Sequence, residues 1–336
     1  MAVLIIDDMA DSAAWAAFEP DGTTPSQGLR IEEDTREHGS GADRVSGRVS
    51  AAPDALGHLL RRDLVAVDLS DFVELRVALR TPARTGRSGF LLELRLASSA
   101  RPFDDAPTTW HRLLPVTGAG RWETVYCTLD DLPRDVAAAV TGVQLRCVQA
   151  PFEANVDDLV AVDPQPLLDT DRALVTALSG VTVDGTAVTA VVRGPDENAG
   201  DGPGIDLRHV DARFAPQRVV DTAARRDHTA TGSREATAGT PYDLDYVVSV
   251  RAGTRAVQAA LLEAVLARLP ADGQLLVDGE SRPIRLLASH RADVPDDVAQ
   301  RRPALRYRVA TRGPARVGSA VAEVHRVEVS TELQGI

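Results

Sequence analysis

The stretch Pro241–Gly279, PYDLDYVVSVRAGTRAVQAALLEAVLARLPADGQLLVDG, decides how the second half of the chain folds. Tyr242, Leu244, Tyr246, Val248 and Val250 alternate with Asp243, Asp245, Ser249 and Arg251. Side chains along a strand point to opposite faces in turn, so the alternation predicts a half-buried strand, broken only at Val247. After Gly253 the apolar period becomes helical. Val257, Leu261, Leu262, Val265, Leu266 and Leu269 fall on one helix face. Pro270 and Gly273 stop that helix, and Gln274–Val277 begins another strand. The segment carries a firm local fold and no nucleophile paired with a base. Its polar groups are surface charges, which points to binding or assembly and away from catalysis.

Working outward, 336 residues suffice for about two domains of ordinary size. The hydrophobic fraction of 44% lets each half build a core, and with aromatics at 4% those cores are mostly Val, Leu and Ala. There is no lysine: all 37 basic residues are arginine. GC-rich coding accounts for that, and a use of arginine for bidentate anion contacts is the sharper alternative. The net charge of −12 excludes a general nucleic-acid-binding surface, because phosphate affinity needs net positive patches. Cys127 and Cys147 lie in strand-like runs and read as two buried thiols, with a disulfide as the alternative. Met1–Ala10 lacks the basic n-region of a signal peptide, and no run approaches the roughly 18 apolar residues of a membrane span. The expected location is therefore the cytoplasm or a particle assembled there.

Up to about Pro166 there is only one convincing helix, and short alternating strands dominate. They are Val3–Ile6, Leu29–Glu32, Arg44–Val49, Leu64–Asp68, Glu74–Leu79, Phe90–Leu96, Thr124–Leu129, Val143–Val148 and Leu159–Val162. Gly, Pro, Asp and Ser clusters separate them, as in an antiparallel sandwich. Leu75, Val77 and Leu79 would face the core, opposite Glu74, Arg76 and Ala78.

Four segments of this half, LIIDDMADSAAW, VDLSDFVELRVALR, GRWETVYCTLDDLP and NVDDLVAVDP, resemble the galactose-binding-like jelly-roll domains, which include many carbohydrate-binding modules. The resemblance covers residues 1–164 and implies an all-β jelly-roll sandwich. In several such families a structural calcium ties the first strand to the last. The matching positions are Asp7 or Asp8 with Asp157 or Asp158. The alternative is that these aspartates cap turns. The family binds sugars through exposed aromatics, and Trp15, Trp110, Trp122 and Phe103 are on offer. Trp110, in DDAPTTWHR, is the best candidate for exposure; Trp122 reads as core.

Residues 165–336 read as α+β, an antiparallel sheet with a packed helix. Asp169 or Asp171 caps a short helix through Leu178, and Gly180 ends it. Val181–Val183 and Val188–Val192 form a hairpin around Asp184 and Gly185. Ile205–Val220 holds one or two strands, and 221–240 reads as a long flexible loop. Strands at Ile284–Ala288, Leu305–Val309 and Val321–Val329 close the half. The segments RALVTALSGVTVDG, Pro241–Gly279 and LRYRVATRG resemble the tail-terminator proteins of tailed phages and contractile injection systems. Members of that family form a ring, usually a hexamer, that caps the tail tube and meets sheath or neck proteins. The resemblance implies a structural role in a virion tail, with no active site and no membrane or sequence-specific nucleic-acid partner. Loop residues Arg225, Arg226 and Arg234, with Tyr242 and Tyr246 on the nearby strand, would then make subunit contacts. A glycan-binding protein with an accessory domain is the alternative, and a baseplate component another.

Chemistry finds little foothold. The seven histidines show no metal-ligand spacing, and H-E-x-x-H and C-x-x-C are absent. Gly200–Asp206, GDGPGID, lacks the Gly-Lys-Ser/Thr end of a phosphate loop. The adjacent pairs Asp104-Asp105, Asp130-Asp131, Asp157-Asp158 and Asp296-Asp297 read as solvated turn residues, with a glycosidase-like acid and base as the alternative. The expectation is a non-enzyme.

Overall fold

The computed structural model describes residues 2–38, 45–82, 89–103, 110–116, 120–183, 185–194, 197, 202–219, 225–229, 232–237, 239–278, 280–287, 304–313 and 316–321. The first elements are β1 (Ala2–Asp7), β2 (Ala16–Phe18), β3 (Leu29–Asp34), β4 (Ser46–Ala51), β5 (Leu59–Val67), β6 (Glu74–Arg80), β7 (Phe90–Ser98), β8 (Trp110–Pro115), β9 (Trp122–Thr128), α1 (Arg134–Ala137), β10 (Val140–Cys147) and β11 (Phe152–Asp163). There follow α2 (Pro166–Ala177), β12 (Val181–Val183), β13 (Thr186–Val188), β14 (Ala190–Val192), β15 (Gly204–Phe214), β16 (Arg225–Thr229), β17 (Gly232–Thr237), β18 (Pro241–Arg251), α3 (Arg255–Arg268), β19 (Asp272–Val277), β20 (Glu280–Leu287), β21 (Ala304–Arg312) and β22 (Arg316–Val321). Two compact units result. One is Ala2–Asp163 with Ala224–Thr237 and the segment from Val317; the other is Pro164–Ala223 with Ala238–Arg316.

The first unit is a two-sheet sandwich. One sheet runs β3-β4-β11-β6-β9, with β1 beside β11; the other runs β2-β5-β10-β7-β8-β16-β17-β22. Strands β4 to β7, and again β8 to β11, alternate between the sheets, the winding of a jelly roll. Leu75, Val77 and Leu79 share one core with Leu92, Leu94, Leu96, Val143 and Leu145. Each such side chain contributes about 1.5–3 kcal/mol on burial. The opposite face of β6 is also covered. Glu74 and Arg76 are buried there, joined through Arg76 Nε at 2.8 Å, with Arg76 stacked 5.3 Å from the Tyr126 ring. Among β1 to β11 two strands lack a sequence signature, β2 and β8, because neither alternates cleanly over enough residues. Both cysteines are free and buried, and burial pushes the Cys147 thiol up to about 11.

The segment 221–240, expected as a loop, contains a hairpin. Strands β16 and β17 pair from Arg225↔Ala236 to Thr229↔Gly232 and extend the second sheet beyond β8. The hairpin lies in the chain between β15 and β18, which are themselves antiparallel neighbours. Its sequence escaped notice because Arg, Asp, His, Thr, Ser and Glu offer no apolar alternation. Asp227, buried, fastens it: Asp227 Oδ2 accepts from the Thr128 N–H at 2.9 Å and from the Thr128 hydroxyl, and Arg112 Nε approaches it at 3.4 Å.

The second unit is α+β. Its sheet runs β14-β15-β18-β21-β20-β19, antiparallel except for the parallel pair β14–β15. Leu207, Leu244, Tyr246, Val248 and Val309 form a core with Leu174 of α2 and with Leu261 and Val265 of α3. Thr254 caps α3, its hydroxyl oxygen accepting from the Val257 N–H. The apolar face of α3 is narrower than its spacing predicts. Leu261 and Val265 are fully buried, but Leu266 is 43% exposed, because the helix seats along the row 261, 265, 269. Helix α2 begins a turn earlier than expected, at Pro166, and the Asp169 carboxylate reaches back to the Gln165 N–H at 2.8 Å. Between β15 and β18 Asp206 accepts from Arg193 Nε at 2.7 Å and Arg251 Nε at 2.6 Å. A Cβ at Gly204 would come within 2.2 Å of that Arg251 guanidinium, so a larger residue there would have to displace it from Asp206. The expected strand Val321–Val329 lies outside the described residues apart from Val321.

Candidate functional site

On the outer face of the second sheet of the sandwich lies an open cleft of about 560 Å³. The strands that build it put Leu60, Leu94 and Leu145 into the core, so the residues between them face outward. Pairing then aligns them. Gln144 sits opposite Arg61 on one side and Arg95 on the other, and Arg95 sits opposite His111. Arg146 sits opposite Glu93. Arg61, Arg95, Gln144 and Arg146 line the cleft, with Phe103 and Asp21 at its sides.

Glu93 anchors the row. Its side chain is 2% exposed, and its Oε2 accepts from Arg95 Nε at 3.0 Å and Nη2 at 2.8 Å. Arg146 Nη1 lies 3.5 Å from the same oxygen, and His111 Nε2 lies 4.0 Å from Oε1. Removing Glu93 from water is costly unless it is paired, and the Arg95 and Arg146 guanidinium groups supply the pairing. Arg61 donates from Nε to Asp63 at 2.9 Å and lies 5.4 Å from the Phe103 ring centre. Phe103 keeps its place only because residue 142 is glycine: a Cβ there would come within 2.9 Å of the ring. At the rim Asp21 accepts the Thr24 hydroxyl and the N–H groups of Thr24 and Thr23, which lower its pKa to about 2. The cleft thus offers rigid planar hydrogen-bonding groups. Among the described residues it holds no nucleophile and base in contact.

The residues predicted as sites fall elsewhere. Trp110 is 4% exposed and belongs to the core, contrary to expectation. Its Nε1–H donates to Asp131 at 2.9 Å, and the buried Arg112 guanidinium lies 4.6 Å from its ring centre. Strand β8 turns the ring inward, so it offers no platform to a sugar. Trp15 is also buried, and Trp122 is part-buried. Among the aromatics offered by the sequence, Phe103 is the one that reaches the cleft.

For Asp7, Asp8, Asp157 and Asp158 the geometry does not fit calcium. Asp7 is buried with Arg62 Nη1 at 2.5 Å, so a cation already faces it, and its other oxygen accepts from the Met9 N–H. Asp8 accepts from the Ala10 N–H, and Asp157 from the Asp158 N–H. These are contacts within turns and at a bulge. Among the described residues no three His, Cys, Asp or Glu side chains gather as a metal site.

Arg225, Arg226 and Arg234 lie on the strands of the hairpin, Asp227 opposite Arg234. Tyr246 is fully buried and its hydroxyl donates to Asp171 at 2.7 Å, so its side chain serves the interior and cannot reach a neighbouring subunit. Burial and the Asp171 contact push that phenol well above its ordinary range. Tyr242 is 37% exposed and sits opposite Phe214, itself 55% exposed. The cleft residues were missed because no motif joins them in sequence. The available signal was outward polar positions on strands that become neighbours only in the sheet.

No protein-family model matches the chain, and no curated protein matches its sequence. Among solved structures, about half of the chain is similar to carbohydrate-binding modules. The family 30 module of a cellulosomal cellulase of Clostridium thermocellum is 14% identical, covering 49% of this chain and 99% of its own, at a TM-score of 0.35. The family 11 module of a cellulosomal cellulase of the same organism is 11% identical, covering 48% and 95%, at 0.33. A xylan-binding domain from Paenibacillus barcinonensis is 11% identical, covering 49% and 95%, at 0.31. Likeness of this degree assigns no ligand, and the tail-terminator resemblance gains no support from it. No helix among the described residues is long and apolar enough to cross a membrane.

Proposed function

We propose that this is a glycan-binding protein whose jelly-roll sandwich holds a saccharide in the cleft across β5, β10 and β7. What carries the proposal is the registered row Arg61, Gln144 and Arg95, with Arg146 beside it. Small-molecule pockets are mostly apolar, with a few polar groups for orientation. A polar, open groove on a rigid sheet suits an extended ligand rich in hydroxyls instead. The second unit acts as an accessory domain. A glycan microarray and affinity electrophoresis of the intact chain test this. Retention of a defined glycan, reduced in Gln144→Ala and Arg146→Ala, is the expected result. No retained glycan, or retention indifferent to both substitutions, refutes it.

A second function, self-assembly through the α+β unit, is favoured by the exposed pair Phe214 and Tyr242. A ring at a tail tube end is its finer form. Light scattering should then show an oligomer that Tyr242→Asp dissociates. A monomer at every concentration removes it.

A further inference from the structure

We infer that the cleft selects saccharides bearing carboxylate or sulfate groups over neutral ones, an inference that rests on the glycan-binding proposal for the same cleft. The reason is its imbalance of donors and acceptors. A sugar hydroxyl both donates and accepts, so a neutral saccharide needs protein acceptors as well as donors. Among the described residues the acceptor side chains that line or underlie the cleft are already engaged. Both carboxylate oxygens of Asp21 take the Thr23 and Thr24 groups. Glu93 lies beneath the surface, held by Arg95 and approached by Arg146. The Gln144 carbonyl oxygen faces Arg95 Nη1 at 3.5 Å.

The donors are in surplus. Arg61 uses Nε on Asp63, and among the described residues its Nη1 and Nη2 have no hydrogen-bond partner. Among the same residues Arg146 uses Nη1 alone, at 3.5 Å from Glu93, leaving Nε and Nη2. These two side chains are 39% and 41% exposed, so their guanidinium groups meet solvent in the cleft. Guanidinium is all donor at any physiological pH. Its complement is an oxyanion, which only accepts and can be gripped by two parallel N–H bonds. Aromatic stacking, the other grip on a neutral ring, is confined to the 9%-exposed Phe103, whose ring Arg61 approaches.

Calorimetric titration of the intact chain with four probes tests this: an oligogalacturonate, a sulfated oligosaccharide, xylohexaose and a mixed-linked β-glucan tetrasaccharide. At least one of the two anionic probes should bind about tenfold tighter than either neutral one, the scale of one charge-assisted hydrogen bond. Which of the two binds names the anion. Arg61→Gln and Arg146→Gln should each weaken the anionic probe about tenfold and weaken the neutral probes by less, so that the preference for the anion shrinks. If a glutamine variant fails to fold, Arg146→Lys, which keeps charge and stem but loses the planar fork, should still weaken it severalfold. Neutral probes binding as tightly as anionic ones would overturn this inference and leave glycan binding standing. Anionic binding that ignores both arginines would overturn it as well. Binding of no probe would overturn the inference together with the glycan-binding proposal.

Discussion

Arg112 shows how far a single side chain can reach in this fold. It is 2% exposed, contacts Asp131 and Asp227, and stacks on Trp110. Deleting one member of a buried charged cluster leaves the others unpaired, which costs about 3–5 kcal/mol. Arg112→Leu should lower the stability of the sandwich by that amount in urea unfolding. A loss within experimental error would show that the cluster is hydrated and weak. Asp7 works in the opposite sense. Burial holds its pKa above 3.8 despite the Met9 N–H and Arg62. A carboxyl with a raised folded pKa contributes stability below its unfolded pKa and loses it as pH rises through the folded value. Asp7→Asn, which still accepts from Met9, should therefore gain on the wild type as pH climbs from about 3 to about 6. Parallel urea midpoints across that range would contradict this. Asp245 has the other sign. Burial raises its pKa, but the Arg308 and Arg306 contacts outweigh that and hold it low, so its contribution is present above 3.8 and fades as acid protonates it.

At the scale of elements, α3 separates two leucines that the sequence treats alike. Leu261→Ala should cost about 2–5 kcal/mol and Leu266→Ala no more than about 0.5 kcal/mol, since one is fully buried and the other largely exposed. Equal losses in thermal unfolding would mean the helix seats differently. The existence of α3 and its flanking strands was legible because a change of period from two to about 3.6 is a backbone property. Its rotation was not, because a face of six apolar residues exceeds what the sheet can cover. Strand β8 and the hairpin β16–β17 were illegible for a related reason. Their residues are held by cross-chain partners, Asp131 and Thr128, that no local pattern reveals.

The whole molecule places its chemistry where chain order gives no hint. Arg61, Arg95, Gln144 and Arg146 come from three strands, and only their registered pairing makes a cleft. Motif reasoning looked instead to Trp110, which serves the core, and to aspartate pairs, of which Asp157 accepts the Asp158 N–H and Asp131 the Trp110 Nε1–H, while Asp104, Asp105, Asp296 and Asp297 lie outside the described residues. The sandwich, for its part, is not a contiguous segment: it needs Ala224–Thr237 as well as Ala2–Asp163. A fragment ending at Asp163 lacks Asp227, so its urea stability should fall short of the same sandwich in the intact chain by about 1–3 kcal/mol. Equal stability would show that the hairpin is an ornament.

Asp227 bonds to Arg112 from 115 residues further along the chain. Proteins emerge from the ribosome at about 5–20 residues per second, and domains normally fold in the order they appear. Here the first domain to emerge must wait, its sheet ending at an uncovered β8 edge, while much of its neighbour is being translated. Nascent chains of this protein therefore carry an open strand edge for several seconds, which is when a chaperone, or a second nascent chain, has its opportunity to bind.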